Sequence, residues 1–361
     1  MCKLKEIVDV RSGRDYKHLG SGNIPVYGTG GYMLSVSEAL SYDEDAIGIG
    51  RKGTINNPYI LKAPFWTVDT LFYAIPKNNF DLNFIYSIFR KINWKSKDES
   101  TGVPSLSKTT INAVTVYIPS GSEQQRIGEF FKQIDNTITL HQRELDQLKE
   151  LKKAYLQLMF PVKDERVPKL RFADFEGEWE QCKFFDMWEK SSDRNKELKY
   201  SSKDVLSVAK MTKNPVERNS SDEYMKTYNI LHYGDIAFEG NKSKDYSFGR
   251  FVLNNLQDGI VSHVFIVFKP KVKMDIDFMK VYINNEYFMK HHLVKATTKT
   301  LMMTTLNVQD MNKQKLRIPS LNEQERIGKF FKELDHAITL HQNKLTQLKS
   351  LKKSYLQNMF I

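Results

Sequence analysis

The sequence predicts an α+β fold: two globular domains with mixed β-sheets, separated by two long antiparallel coiled-coil helices in a pseudo-twofold repeat. The segment Ile118–Phe160 recurs as Ile318–Phe360, at a fixed offset of 200 residues, and apolar residues recur mostly every three or four positions in both copies. Outside the copies, short β-rich runs alternate with single helical stretches, which is typical of α+β domains.

The repeated segment predicts one long helix per copy, about 55–60 Å long at the α-helical rise per residue. Ser122 with Gln125, and Asn322 with Glu325, have capping-box spacing. A helix of this length with an apolar stripe needs a partner, and the other copy is the obvious one. The predicted seam comprises Ile127, Phe131, Ile134, Ile138, Leu145, Leu148, Leu151 and Tyr155, and in the second copy Ile327, Phe331, Leu334, Ile338, Leu345, Leu348, Leu351 and Tyr355.

Two polar features of the repeat each have two interpretations. His141 and His341 fall on the seam at equivalent positions. They could form a metal or proton site, or they could be polar residues that fix the register of the helices, and we favour the second interpretation. The Leu-Lys-Lys motif near the end of each helix also has two interpretations. Its lysines could contact phosphate, or they could form a solvated face near the helix C-terminus, where the helix dipole favours cations. The pattern does not separate these two.

The domain boundaries follow from the repeat. We assign residues 1–117 to the first globular domain and 118–160 to the first spacer helix, then 161–317 to the second domain, with a lead-in over 161–183, and 318–361 to the second helix. The domains resemble each other only at their edges, as in Ser105–Ser120 against Thr304–Ser320. We find no convincing match between their interiors.

Composition limits the class of protein. The chain has 361 residues, enough for two domains, and no run approaches the ~18–20 apolar residues that cross a membrane. Cys2 and Cys182 are too few for a disulfide framework or a cysteine-based zinc site. The N-terminus has no apolar signal region, so we expect a cytoplasmic protein.

The charge favours a polyanionic partner. Lys and Arg number 54 against 43 Asp and Glu, a net charge of +11, and the pI is about 9.2. DNA or RNA is the first candidate for such an excess. A lysine-rich, AT-biased genome has the same effect on composition, so the charge alone does not decide.

The repeat motif resembles the helical regions of type I restriction-modification specificity subunits. It reads Pro-Ser-x-x-Glu-Gln-x-x-Ile-Gly-x-Phe-Phe, then Asp, Leu-Lys-x-Leu-Lys-Lys and a final Met-Phe, in both copies. Val167–Phe184 resembles the lead-in to a target-recognition domain of that family. The first domain begins at Met1, and Cys2-Lys3 matches Cys182-Lys183, so this lead-in has no counterpart there. Either the start of the chain is misassigned or the lead-in is genuinely missing, and the packing of the first domain against the second helix depends on which alternative holds.

The resemblance implies a non-catalytic DNA specificity subunit of an endonuclease and adenine-methyltransferase complex. Each target-recognition domain would read one half of a bipartite site in double-stranded DNA, and the helix pair would set the spacing. The family's partners are two modification subunits and, in the full complex, the restriction subunits. S-adenosylmethionine, ATP and magnesium belong to those partners, so we expect no cofactor and no metal in this chain.

One stretch, Asp45–Ile60, imitates two nucleotide-enzyme motifs. Gly48, Gly50 and Gly53 spell the dinucleotide fingerprint, but that motif needs a helix directly after the third glycine. Here Asn57-Pro58 predicts a turn followed by a strand. The tetrapeptide ending at Tyr59 also lacks the doubled proline of amino-methyltransferases. We interpret the stretch as a basic, glycine-flanked loop between two strands.

The candidate DNA-binding residues lie on such loops. Arg51 has the donors to bind guanine, Asn56 suits adenine, and Lys52 suits a phosphate. Each is equally explained as part of a surface hairpin. The first domain offers Tyr27, Thr29, Arg51, Lys52, Thr54, Asn56, Ser105 and Lys108, and the second offers Asn241, Lys242, Ser243, Lys244, Tyr246, Arg250, Ser262, His263, Thr297 and Lys299.

Other functions fit the sequence less well. A stand-alone DNA methyltransferase or nuclease needs motifs that the chain lacks, and no P-loop pattern occurs. His263 as a general acid–base, and His291-His292 as half of a zinc site, lack partners at suitable spacing. A coiled-coil protein without DNA recognition has no need of two dissimilar domains, and DNA binding would be distinguished from it by its steep salt dependence.

Overall fold

The structure is a computed structural model, and it describes residues 1–77, 80–163, 165–213, 221–241, 243, 245–299 and 303–359. The chain forms two compact units. The first contains Met1–Glu144 and His341–Ile361, and the second contains Leu145–Leu340. Each unit therefore combines one globular domain with the beginning of one long helix and the end of the other.

The first unit is built around a four-stranded antiparallel sheet with strand order β2-β8-β5-β6. A smaller sheet has the order β4-β3-β7, and β1 pairs with β9. The elements are β1 (Cys2–Lys3), α1 (Leu4–Ile7), β2 (Val8–Ser12), β3 (Ser21–Gly28), β4 (Gly31–Val36), β5 (Ala46–Gly50), β6 (Tyr59–Leu61), β7 (Trp66–Thr67), β8 (Leu71–Pro76), α2 (Leu82–Lys91), a 3-10 turn (Trp94–Lys97), α3 (Lys108–Ala113), β9 (Thr115–Val116) and α4 (Gly121–Leu158), which continues into the second unit.

The second unit contains a four-stranded antiparallel sheet with strand order β11-β18-β15-β16. Among the described residues, four two-stranded pairs accompany it: β10-β21, β12-β13, β14-β17 and β19-β20. The elements are β10 (Glu180–Lys183), α5 (Phe184–Met187), β11 (Trp188–Lys190), a 3-10 turn (Ser202–Asp204), β12 (Leu206–Ser207), β13 (Thr212–Lys213), α6 (Asp222–Met225), β14 (Asn229–Leu231), β15 (Ile236–Glu239), β16 (Arg250–Leu253), β17 (Gly259–Val261), β18 (Ile266–Pro270), α7 (Ile276–Tyr282), α8 (Glu286–Ala296), β19 (Thr297–Lys299), β20 (Thr304–Leu306), α9 (Val308–Asn312), β21 (Lys315–Ile318) and α10 (Leu321–Asn358), which continues into the first unit.

The two globular interiors share a framework that the sequence comparison missed. In chain order, β2, β5, β6 and β8 correspond to β11, β15, β16 and β18, and the two sheets have the same strand order. The offset is 180 residues between Cys2 and Cys182, which occupy equivalent positions in the β1-β9 and β10-β21 pairings, and reaches 200 at the repeat. Insertions of different length separate equivalent strands. A sheet needs only buried side chains of the right period, so identity was lost while topology was kept.

The predicted α+β class with two long helices is confirmed. The predicted capping boxes at Ser122 and Asn322 are wrong, because these residues already lie inside the helices. The backbone oxygen of Ser120 accepts the N–H of Gln124 at 2.9 Å, as that of Ser320 does for the equivalent glutamine. Each of these glutamines also donates from Nε2 to the preceding proline oxygen at 3.0 Å.

The Ile-Gly step of the repeat is explained by a close approach. A Cβ on Gly128 would lie 2.1 Å from Oδ1 of Asp81, the residue that caps α2. A Cβ on Gly328 would lie 2.4 Å from Oδ1 of Asp275, which caps α7. In each unit, the start of the long helix thus packs against the capped N-terminus of a domain helix, and only glycine fits.

Reciprocal contacts establish antiparallel pairing of the long helices. In the first unit, the rings of Phe130 and Tyr355 lie 5.1 Å apart, and Lys352 pairs with Asp135. From the first contact to the second, the residue number rises along α4, from 130 to 135, and falls along α10, from 355 to 352. The two helices therefore run in opposite directions.

The second unit repeats this arrangement with the roles of the helices exchanged. The rings of Tyr155 and Phe330 lie 4.9 Å apart, and Lys152 donates to Asp335 at 2.5 Å. These four residues are the repeat equivalents of the four in the first unit.

The seam prediction needs correction at several positions. Ile127 and Phe131 belong to the globular core of the first unit, and Ile327, Phe331 and Leu334 belong to that of the second. The early turns of each helix therefore also cover their own domain. Leu145 and Leu345 are buried, and Ile134, Ile138, Leu148, Ile338 and Leu348 are half-buried.

Leu151 and Leu351 are wrong predictions. Their side chains are 43% and 45% exposed. Position 152 or 352, one residue later, turns its lysine toward the other helix instead. Among the helices of the described chain, none is both long and apolar enough to cross a membrane.

Candidate nucleic-acid interface

The basic loop after β5 is held on two sides by its backbone. The N–H of Arg51 donates to the oxygen of Thr70 at 2.8 Å, and its own oxygen accepts from Leu106 at 3.0 Å. The N–H of Gly53, which has a φ of +84°, donates to Pro104 at 2.8 Å. The loop leads into β6, as the turn at Asn57-Pro58 predicted. The backbone is fixed while the side chains of residues 51–54 are exposed.

This arrangement brings two of the predicted loops together. Lys52 forms a β-bridge with Ser105, so the loop after β5 lies against the segment before α3. Between them is a groove of about 390 Å³ lined by Ser12, Arg51, Lys52, Phe72, Ser105, Leu106, Ser107 and Lys108. Three cations and three hydroxyls, with no carboxylate among the described lining residues, form a surface suited to phosphates and base edges.

The arginine of this groove has a defined position. Its guanidinium carbon lies 5.8 Å from the ring centroid of Phe72, and Arg51 donates weakly to the oxygen of Asp69 at 3.4 Å. Arg51 is exposed, and most of its guanidinium N–H groups are left to bind a ligand or solvent.

A carboxylate organises the other wall of the groove. Asp98 accepts from the N–H of Ser105 at 2.9 Å and from both the N–H and the hydroxyl of Ser100. These hydrogen bonds, that of Ser105 first, hold the pKa of Asp98 below its usual value. The ionised carboxylate thereby fixes the loop that carries Ser105.

The remaining first-domain candidates lie elsewhere. Thr54 and Asn56 are exposed further along the loop, and Asn56 lines a separate groove. Thr29 sits in the turn between β3 and β4. Tyr27, just before that turn, is half-buried, with its ring 6.2 Å from that of Tyr59. The exposed Tyr32, 63% accessible, is a surface aromatic on β4 that we did not single out from the sequence.

The second unit has the same junction with different side chains. The loop after β15 begins at Gly240, whose oxygen accepts from the N–H of Thr304 at 2.8 Å. Asn241 forms a β-bridge with Met303, as Lys52 does with Ser105 in the first unit. Lys242 and Lys244 lie outside the described residues. Ser243 is exposed in the same loop, and its hydroxyl accepts from the N–H of Tyr246 at 3.1 Å.

Lys299 joins this junction from β19. Its ammonium lies 3.7 Å from the ring centroid of Phe248, which belongs to the loop after β15. Thr297, at the start of β19, donates its hydroxyl to the oxygen of Leu293 at 2.6 Å. The structure thus brings the loop after β15 and the β19–β20 hairpin together, with Asn241 and Lys299 exposed.

Arg250 and Tyr246 hold this loop internally. Arg250 donates from Nε to Glu239, which is 6% exposed, at 2.7 Å, and also to the oxygen of Ala209. Its guanidinium lies 4.7 Å from the ring of Tyr246, whose hydroxyl donates to Asn284 at 2.6 Å. These contacts give Arg250 and Tyr246 structural roles, whereas Arg51 in the first unit is exposed.

The last predicted residues lie before β18. Ser262 and His263 occupy the loop before Ile266, which pairs with Phe238 near the end of β15, so they lie at the same end of the sheet as the junction. His263 is exposed, with its ring 6.4 Å from that of Tyr224.

One member of the histidine pair on α8, His292, is explained by packing. His292 lies with its ring 5.4 Å from that of Phe288. Burial lowers its pKa to about 4, against a hydrogen bond to Gln314 that raises it. The ring is therefore neutral at pH 7.

The sequence analysis missed a basic groove in each unit. In the first, the groove has about 590 Å³ and is lined by Asn56, Asn57, Arg90, Lys91, Asp135, Ile138, Lys349, Lys352, Lys353, Leu356 and Gln357. In the second, Lys152, Lys153, Lys280 and Lys290 line a groove of about 630 Å³ with Arg250. The Leu-Lys-Lys motifs were the signal. The first lysine of the second motif fits neither of the predicted alternatives, since Lys352 is 7% exposed and burial lowers its pKa.

Comparisons with known proteins agree with this architecture. Residues 1–150 and 176–350 match the family described as type I restriction modification DNA specificity domain. The crystal structure of the type I restriction-modification system S subunit from M. genitalium superposes with a TM-score of 0.68 at 11% identity, over 99% of this chain and 95% of that one.

A second solved chain comes from work on complex assembly and conformational transition of the type I R-M system. It has a TM-score of 0.52 and 13% identity, with 98% of this chain and 95% of that one covered. At such identities the superpositions establish the fold. The match to the family model spans most of both units, and the chain therefore belongs to the type I restriction-modification DNA specificity domain family.

Proposed function

We propose that this chain is the sequence-reading subunit of a type I complex, in which each globular domain reads one half of a bipartite site in double-stranded DNA. One observation supports it most directly. Both units have the same backbone junction, where the loop after a central strand bridges the segment before a short helix. The exposed side chains on that junction differ, with Arg51, Lys52 and Lys108 in one unit and Asn241 and Lys299 in the other.

This pattern is what two readers of different sequences require. A common backbone presents side chains at equivalent places, and the side chains determine which base edges are bound. The excess positive charge of the chain supplies sequence-independent attraction to phosphates.

The helix pair sets the spacing between the half-sites and docks two adenine-methyltransferase subunits, with restriction subunits in the full complex. The chain itself is non-catalytic. S-adenosylmethionine, ATP and magnesium are bound by the partners, and the complex works in the cytoplasm. The family match and the solved chain from an assembling type I system support this part of the proposal.

A methylome of a host without other adenine methylases tests the proposal. The host expresses this chain with its cognate modification subunit, and single-molecule sequencing maps N6-methyladenine. We expect one split motif with two unlike specified halves. A motif with one specified half would show that only one domain reads DNA, and absence of methylation with both proteins folded would refute the proposal.

A further inference from the structure

Two histidines and one glutamate of the long helices converge in the first unit. Nδ1 of His141 lies 3.0 Å from Oε2 of Glu144, and Nδ1 of His341 lies 3.2 Å from the same oxygen. The two Nδ1 atoms are 3.4 Å apart. In the part of the chain that the structure describes, this is the single group of three or more potential ligand residues whose donor atoms converge in this way.

The triangle has the dimensions of a metal site. Zinc binds imidazole nitrogen and carboxylate oxygen at about 2.0–2.2 Å, which places tetrahedral ligand atoms roughly 3.3–3.6 Å apart. The three separations here are 3.0, 3.2 and 3.4 Å, so an ion fits above the triangle after small side-chain movements. We propose that His141, Glu144 and His341 bind one zinc-like transition-metal ion, with solvent as the fourth ligand.

The donor set determines the class of metal. Two imidazoles and one carboxylate suit Zn²⁺ and its neighbours Co²⁺ and Ni²⁺, whereas Ca²⁺ and Mg²⁺ prefer all-oxygen sites. The three side chains are 23%, 37% and 25% exposed, in chain order, so an ion has access from solvent. Because one histidine comes from each helix, the ion would join α4 to α10.

A register-fixing hydrogen bond is the competing explanation, and the protonation state separates the two. A hydrogen bond to Glu144 needs a proton on Nδ1, whereas a metal needs the Nδ1 lone pair and leaves the proton on Nε2. The two helices are not equivalent at this place. Residue 344, the equivalent of Glu144, is an exposed lysine, so only one helix supplies a carboxylate.

Cobalt titration of the full-length chain tests the site. The protein, without a histidine tag, is stripped with a chelator, and Co²⁺ is added while the visible spectrum is recorded. We expect one equivalent to produce the ligand-field bands of a four-coordinate ion, and one equivalent of Zn²⁺ to abolish them. Zn²⁺ should also raise the Tm, because it binds only the folded arrangement.

Matched variants assign the signal to this site. Loss of an outer-shell partner alone typically weakens metal binding by about 10–100-fold, so His141→Gln and His341→Gln should weaken it by more than that. Neither variant should keep the Zn²⁺-dependent rise in Tm. His336→Gln, an exposed histidine on the same helix, should behave like the wild type. Lys344→Glu adds a carboxylate at the equivalent position and should tighten binding.

The proposal is overturned if Co²⁺ gives only octahedral spectra, or if His141→Gln binds as tightly as the wild type. Equal losses in His336→Gln would show non-specific binding and overturn it as well. None of these outcomes depends on DNA recognition.

Discussion

The starts of the two long helices share a sequence but not an environment. In the second unit, Glu323 is 1% exposed and receives two hydrogen bonds from Arg171, at 2.7 and 2.8 Å, and one from Trp179 at 3.3 Å. Both partners belong to the lead-in before β10. In the first unit, the equivalent Glu123 is exposed. The glutamate of the same motif thus forms a buried ion pair in one unit and is an exposed side chain in the other.

A repeated motif therefore does not imply a repeated contribution to stability. An exposed glutamate contributes little, whereas a buried one is costly to leave without its partner. The glycine and the glutamine of the motif, in contrast, make equivalent contacts in both units.

Removal of Arg171 should have the largest effect, because its partner is buried only in the second unit. Arg171→Ala leaves Glu323 buried without its cation, and we expect a loss of about 3–5 kcal/mol in the free energy of unfolding of the second unit. Glu123→Gln, the control, should change stability by less than about 0.5 kcal/mol. Urea denaturation measures both. Equal effects of the two substitutions would contradict the inferred difference.

Substitution of the motif glycine should have the same effect in both units. Gly128→Ala and Gly328→Ala both force a Cβ against a capping aspartate, and overpacking of this kind costs about 1–3 kcal/mol. Gly121→Ala is the matched control, because a Cβ there meets nothing within 4 Å. Thermal denaturation of the three variants provides the measurement, and a neutral Gly128→Ala would show that the domain helix yields without cost.

The two predicted arginines should separate binding from stability. Arg51→Ala should weaken specific DNA binding of the methyltransferase complex by about 1–3 kcal/mol, since a bidentate base contact has that value. Its Tm should stay near that of the wild type. Arg250→Ala should lower the Tm instead, because Glu239 loses its partner. Titration of labelled duplex and calorimetry test both, and a reversed pattern would exchange the assigned roles.

The smallest expected effect is a pH dependence confined to the second unit. The pKa of His292 is lowered to about 4 by burial, so the folded state keeps the ring neutral while the unfolded chain takes up a proton near pH 6.5. Stability is therefore fully present above about pH 6.5 and is lost as the pH falls toward 4, by roughly 1–2 kcal/mol at pH 5.

A substitution isolates this contribution. His292→Gln should remove the loss that this ring contributes between pH 7 and 5, and leave the opposite contribution of Asp235, whose pKa burial raises to about 6. His263→Gln, an exposed histidine, should keep the wild-type dependence. Urea midpoints across that range measure the slopes. A slope unaltered in His292→Gln would show that the buried ring is not its source.

The sequence was sufficient for the fold class and the long helices because these depend on periodicity, which is visible along the chain. It was insufficient for the shared sheet topology, since strands of three to six residues keep burial but not identity. Leu151 was misassigned because we assumed that the apolar stripe of each helix faces the other helix alone, whereas each helix contacts both the other helix and its own globular domain. Lys352 and Asp135 were missed because a buried ion pair has no local signature.

The candidate site was predicted in part for similar reasons. Glycine, turn and cation patterns placed Arg51 and Lys52 on a loop, which the structure confirms. That Ser105 lies beside Lys52 depends on a backbone bridge between distant segments, which one sequence does not reveal. Arg250 resembled Arg51 in sequence, and only the position of Glu239 distinguishes them.

We propose that one backbone junction, used twice, reads two different half-sites. Methylome mapping of two unit-specific variants tests it most directly: Arg51→Ala with Lys52→Ala in the first unit, and Asn241→Ala with Lys299→Ala in the second. We predict that each variant relaxes the specified bases in one half of the methylated motif, that the two variants relax opposite halves, and that the spacing is unchanged. Relaxation of the same half by both variants, or an unaltered motif in both, would contradict the claim.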